Sequence, residues 1–189
     1  KSYDKSLSYA KEALKFNKVE SAVYSQIGKS YFMMNNYDSS TYYLNMATVF
    51  GGNSASDYSY LAISENNQNK YELAKDHISK SISLDESNGD YYFVRGDANF
   101  GLNDFEGAKA DYEKSLSLNP NNKSVYKNLA NVYMQLGDSE KALENINLGI
   151  TSATGDEKLS YLILQGNYYH EQGDLDNAEK SFNEAYSLN

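Results

Sequence analysis

The sequence predicts an all-α fold, a solenoid of stacked helix pairs, and three observations predict it. First, small residues recur at Ser6, Ser40, Ala74, Ala108, Ala142 and Ala178, in steps of 34, 34, 34, 34 and 36 residues. A fixed period of this length marks a helical repeat array. Second, the same register aligns Tyr24, Tyr58, Tyr92 and Tyr126 with Leu162. It also aligns Ile27, Leu61, Arg95, Leu129 and Gln165, and then Gly28, Ala62, Gly96, Ala130 and Gly166. Third, apolar residues between these marks follow helical spacing, and turn-forming segments recur at the period. Each repeat therefore reads as a first-type helix, a short turn, a second-type helix and a loop. One such pair cannot bury its apolar face alone, whereas stacked neighbours bury a continuous core.

The elements follow in order, as a single array over residues 1–189. The chain opens on "YDKSLSYAKEALKF", a second-type helix predicted over 3–16 in a partial repeat, 1–18. The first full repeat, 21–54, pairs helices 20–34 and 37–50 around "NNYD". The second, 55–88, pairs 55–67 and 71–84 around "NQNKYE", and puts Glu65 where Tyr31, Tyr133 and Tyr169 stand elsewhere. The third, 89–122, pairs 89–101 and 105–118 around "GLNDFE". Here Phe105, Ala108, Tyr112, Ser115 and Leu116 share a face, and Pro120 stops the second helix. The fourth, 123–158, pairs 122–135 and 139–152, with Val125, Leu129, Val132 and Tyr133 apolar and a break at Gly137. The fifth, 159–189, pairs 157–172 and 175–188 around "QGDLD". Two extra residues before it are placed in the loop "TSATGDEK", 151–158, and are predicted to change the rotation between the last two repeats.

Composition narrows function. The net charge is −9, from 26 acidic and 17 basic residues, which opposes sequence-independent nucleic-acid binding, since that needs Lys and Arg on phosphates. With no Cys there is no disulfide framework and no thiolate site. No apolar run approaches the ~20 residues of a membrane-spanning helix, so no direct membrane insertion is expected. His77 and His170 sit in different repeats, which disfavours a metal site. No cofactor, phosphate loop or catalytic set is expected. Of the 19 tyrosines, Tyr24, Tyr31, Tyr58, Tyr92, Tyr126, Tyr133 and Tyr169 occupy packing places of the repeat, which favours a structural role over a stacking surface. The chain starts at Lys1 and reads as a fragment of a longer protein, with cytoplasm and bacterial periplasm both open as compartments.

The segments "YYFVRGDANFGLNDFEGAKADYEKSLSLNP", "VYKNLANVYMQLGDSEKALENI" and "LQGNYYHEQGDLDNAEKSFNEAYSLN" resemble the tetratricopeptide repeat, and the resemblance extends over essentially the whole chain. The departures are a missing Trp, usually replaced by Tyr, and a repeat-end proline kept only at Pro120. The resemblance implies a right-handed superhelix and a non-catalytic interaction scaffold. It would bind an extended peptide or partner protein on the concave face lined by first-type helices. The candidate groove residues are Lys29, Phe32, Ile63, Asn67, Asp97, Phe100, Lys127, Asn131 and Asn167. Asn can hydrogen-bond a peptide backbone, and Phe holds apolar anchors. Family members that serve heat-shock chaperones clamp a C-terminal carboxylate with Lys and Asn one turn apart, then a second Asn. Lys127 and Asn131 match the first two places, but Leu164 stands at the third, so tight chaperone-tail binding is not expected. The alternative is a structural spacer or assembly element, for instance in a bacterial envelope or export complex, acting through repeat stacking. The uncapped helices 3–16 and 175–188 are expected to expose apolar faces and to support self-association.

The tripeptide Arg95-Gly96-Asp97 has the form of a cell-adhesion signal, which requires an exposed loop. Its register places it in the middle of a first-type helix, with Arg95 at the core-facing place of Ile27, Leu61 and Leu129. A buried Arg needs a partner. Asp111 is the one acid among the facing positions, the others being Tyr43, His77, Asn145 and Ser181. A structural ion pair between Arg95 and Asp111 is therefore expected, and a subset of the family carries the same combination.

Overall fold

The computed structural model describes Ser8, Glu12 and residues 20–188. These residues form ten α-helices and, among the described residues, no strand: α1 (Ser21–Met33), α2 (Tyr37–Val49), α3 (Ala55–Asn67), α4 (Tyr71–Leu84), α5 (Gly89–Gly101), α6 (Phe105–Leu118), α7 (Ser124–Leu136), α8 (Ser139–Ser152), α9 (Gly155–Glu171) and α10 (Leu175–Ser187). The expected helix over 3–16 falls largely outside them. The chain divides into two compact units, Lys1–Asp104 and Phe105–Asn189.

Two helix starts, those of α7 and α9, differ from expectation by two residues, and the other ends by no more than one. Helix α7 starts at Ser124 rather than 122, because the chain is still turning after Pro120. The two extra residues of the last step do not lengthen a loop. Only Ala153 and Thr154 separate α8 from α9, and α9 runs for 17 residues where the other first-type helices have 13.

The turns inside the repeats share one geometry. Asn35, Asn69, Asn103, Gly137 and Gly173 all have positive φ, between 56° and 76°. These are left-handed positions that Gly and Asn enter at little steric cost. The amide of the next residue then reaches back to the carbonyl five residues earlier. Asn36 donates to Tyr31, Lys70 to Glu65, Asp104 to Asn99, Asp138 to Tyr133 and Asp174 to Tyr169, each at 2.9 Å. This closes the last turn of a first-type helix with a Schellman motif. The same residue opens the next helix. The side chains of Asn36, Asp138 and Asp174 accept from Ser39, Lys141 and Asn177 amides, a standard N-cap. Lys70 has no acceptor, and α4 begins without a side-chain cap.

In the first unit the small residues sit where helices meet. Ser40 and Ala74 are fully buried, and a Cβ on Gly28 would lie 2.6 Å from Leu44 Cγ. Ser64 of α3 donates to Ser40 of α2 at 3.0 Å, linking consecutive repeats. Ala62, Ala74, Ile78, Val94 and Ala98 form a core against which Ile63 and Tyr91 pack. Ile27, Leu44, Leu61 and Ile78 are fully buried, each contributing ~1.5–3 kcal/mol of transfer free energy.

In the second unit Val125, Val132, Ala142 and Ile146 are fully buried beside Tyr112, Tyr161 and Leu162. Glycine again makes room for aromatics. A Cβ on Gly149 would lie 2.1 Å from the Tyr161 ring. Tyr161 uses the space to place its hydroxyl at the start of α7, donating to the Lys123 carbonyl at 2.7 Å and accepting from the Lys127 amide at 3.1 Å.

Candidate functional site

The candidate groove residues divide between the units. In the first, the structure brings Lys29 and Phe32 together at Tyr60. The Phe32 ring stands edge-on to Tyr60 at 4.8 Å and to Tyr37 at 5.9 Å, and Lys29 Nζ lies 5.6 Å from the Tyr60 ring centre. Lys29 is not an open cation. Its Nζ is 2.6 Å from Asp57 Oδ1, which also accepts from Ser25 Oγ at 2.7 Å. Asp57 is only 5% exposed, so these two donors satisfy a carboxylate that would otherwise be costly to bury. Ile63 is partly buried in the core, and exposed Asn67 turns its amide onto the Ile63 carbonyl at 2.8 Å. Asp97 and Phe100 are partly buried. In the second unit the Lys127 and Asn167 side chains are exposed and Asn131 is partly so.

Sequence reasoning missed Asp57 and Tyr60. For Asp57 a signal existed: it stands in register with Val23, Tyr91 and Val125, where an acid is out of place. The same holds for a buried pair in the second repeat. Glu65, 2% exposed, meets His77 Nδ1 at 2.8 Å, and the His77 ring stacks near Tyr58 at 6.2 Å. The first repeat fills the same two places with Tyr31 and Tyr43, stacked at 5.5 Å. Two departures from the aromatic pattern thus face each other.

Arg95, Gly96 and Asp97 lie inside α5 rather than on a loop. Gly96 is buried, and the Arg95 guanidinium, only partly buried, rests 5.5 Å over the Tyr92 ring one turn earlier. Asp111 is buried in α6. The Arg95–Asp111 pair joins residues of the two units and stands as a sequence expectation.

The remaining chemistry is structural. Among the described residues no group of three or more His, Asp or Glu side chains could hold a metal ion, and no helix is long and apolar enough to cross a membrane. Burial and the Glu113 carboxylate, 2.9 Å from its hydroxyl, push Tyr133 up to about 12. Burial chiefly does the same to Tyr161, also to about 12.

Three models of the tetratricopeptide repeat match the chain, over residues 89–122, 111–144 and 159–189. No curated protein matches the sequence. Among solved structures, MamA is similar at 22% identity and a TM-score of 0.75, over 86% of this chain and 94% of that one. Pseudomonas aeruginosa PilF is similar at 16% identity and 0.75, over 95% and 81%. A tetratricopeptide repeat protein from Parabacteroides merdae is similar at 13% identity and 0.72, over 99% and 72%. At these identities the likeness concerns the fold, an α-solenoid of helix pairs.

Proposed function

We propose, because the chain is a tetratricopeptide repeat protein, that this interaction scaffold holds an extended segment of a partner protein along its first-type helices and performs no catalysis. The observation that supports the reading is what repeat packing leaves unused. Asn67 in the first unit, and Lys127 and Asn167 in the second, keep exposed side chains on helices whose other faces are buried. Asn presents both a donor and an acceptor to a peptide bond, and needs no particular side chain from the partner. Phe32 and Phe100 would supply apolar contact. Lys29 takes a different role from the one its sequence position suggests. Held by Asp57, it braces the groove, while Lys127 is the cation offered to a partner.

The test uses a partner once isolated on the immobilised chain. Lys127→Ala with Asn131→Ala should weaken its binding, and Phe100→Ala should do so separately, with helicity and melting temperature held near wild type for the first pair. Full affinity in all three changes would overturn the groove reading. A second reading, assembly through repeat stacking, is favoured by α10, which exposes Leu175, Phe182 and Tyr186, and by its exposed C-cap residue Leu188. Sedimentation at rising concentration separates the two, since stacking predicts association without any partner.

A further inference from the structure

We infer that α8 carries a second binding surface, for a basic amphipathic segment of a partner protein. A groove of about 460 Å³ runs along α8, floored by Leu143, Leu148 and Tyr168 of α9 and rimmed by Glu140 and Glu144. The register shows how unusual this floor is. In the other full repeats the place of Leu143 holds Thr41, Lys75, Lys109 and Glu179, and that of Leu148 holds Met46, Lys80, Lys114 and Glu184, while the partial repeat carries Leu7 and Glu12 there. Only the fourth repeat makes both places leucine, and Leu148 is left 42% exposed. The wall departs as well. Tyr168 stands where Ser30, Ser64, Ala98 and Val132 stand elsewhere, and its hydroxyl donates to the Ser139 carbonyl at 2.9 Å, which fixes the ring beside the leucines. An exposed apolar stripe costs solubility, and three coincident departures, two in the fourth repeat and one in the fifth, point to an occupant.

Charge selects the occupant. The lining includes Glu140 and Glu144 and no basic side chain. Lys141 on the same helix is turned away, 5.3 Å over the Tyr133 ring and 3.6 Å from Asp138. The two glutamates stand one helical turn apart, with Cβ atoms ~5–6 Å from each other. They match two Lys or Arg residues one turn apart on a partner helix whose Leu or Phe enters the floor. A second copy is a poor occupant, because each chain carries a net charge of −9. The inference shares no residue with the first-type-helix groove and does not depend on it.

The probe is a fluorescein-labelled, amidated helical peptide of Leu and Lys, with lysines one turn apart, beside the same peptide with Glu for Lys. Anisotropy is read at ~0.15 M salt, where non-specific attraction is screened beyond ~8 Å. The Lys peptide should saturate and the Glu peptide should not. Glu140→Lys with Glu144→Lys should weaken binding by at least about tenfold, the scale of ~1.4 kcal/mol. Leu148→Lys should do the same, and it restores a residue that two other repeats carry there, so the fold is expected to hold. Lys127→Ala with Asn131→Ala should change nothing. No saturation, or equal binding by wild type and the charge-reversed variant, overturns the inference. So does self-association of the chain that the same reversal abolishes, which would make a second copy the occupant.

Discussion

Tyr161→Phe removes one oxygen atom, and the structure says what that atom does. Helix α7 has Lys123 at its N-cap position and no side-chain cap. The Tyr161 hydroxyl bridges the Lys127 amide and the Lys123 carbonyl, donor and acceptor of one i→i−4 step, so a side chain from α9 is inserted into the first turn of α7. Tyr161 is 1% exposed, which leaves little access for water to replace the oxygen. Two hydrogen bonds are lost at ~1 kcal/mol each, with an orphan penalty on whichever backbone group does not find a partner, and closure of the direct helical bond recovers part. The expected loss is ~1–3 kcal/mol. At ~2–4 °C per kcal/mol for a chain of this size, the melting temperature should fall by roughly 2–12 °C. Gly149→Ala should cost at least as much, because its Cβ would collide with the same ring at 2.1 Å, and the double variant should be less than additive. The assay is thermal unfolding by far-UV circular dichroism, with Tyr186→Phe, 84% exposed, as the unaffected control. Alkaline pH gives a second readout. Tyr161 is pushed up to about 12, above the ~10 of an unfolded tyrosine. A raised folded value means that its contribution is full below pH ~10 and is lost as pH rises from ~10 to ~12. The gap between wild type and Tyr161→Phe should therefore narrow in that window. Equal melting temperatures at neutral pH, or a gap that does not change up to pH ~12, would refute the reasoning.

Three further outcomes are expected. Lys70→Asn should stabilise the chain by ~0.5–2 kcal/mol by supplying α4 with the cap that Asn36, Asp138 and Asp174 supply elsewhere, and chemical denaturation would show a raised midpoint at an unchanged slope. His77→Tyr alone should destabilise by ~3–5 kcal/mol because it strands Glu65 in the core, whereas Glu65→Tyr with His77→Tyr rebuilds the stacked pair of the first repeat and should return most of that stability. For Arg95 and Asp111, a double-mutant cycle with Arg95→Met and Asp111→Leu should give a coupling of ~0.5–3 kcal/mol, and additive losses would remove the proposed pair.

The helix order was legible because the repeat states it five times over. A single helix such as α3, with Glu65, Asn66 and Asn67 in its last turn, carries little amphipathic signal of its own. Its register with α1, α5 and α7 nevertheless assigns it, and the small residues at Ser40, Ala74, Ala108, Ala142 and Ala178 all proved buried. The left-handed turn positions were visible as Asn or Gly at the same period. What was not legible is which neighbour a side chain chooses. Lys29 looks like a free cation until Asp57 is seen beside it from the next repeat, and the two extra residues near 155 look like loop until α9 absorbs them. Both outcomes depend on three-dimensional proximity, which the period constrains only to within a helix face.

That limit shows where the information about function lies. Positions that obey the register are spent on stacking, as Gly28 is beneath Leu44 and Gly166 against Phe182. Positions that break it form two kinds. Some breaks answer each other inside the fold: Glu65 faces His77, and Asp57 meets Ser25 and Lys29. These are compensated, and their removal should register in stability. Other breaks meet no compensating partner among the described residues: Leu143 and Leu148 stand beside Tyr168 with acids at their rim and no base among the lining. An uncompensated departure costs solubility and, of the two kinds, is the one whose substitution should leave the melting temperature in place while it changes what the surface holds. Leu148→Lys sorts the cases in one experiment: a variant that melts like wild type and loses the basic peptide assigns the stripe to binding, and one that melts early assigns it to the core.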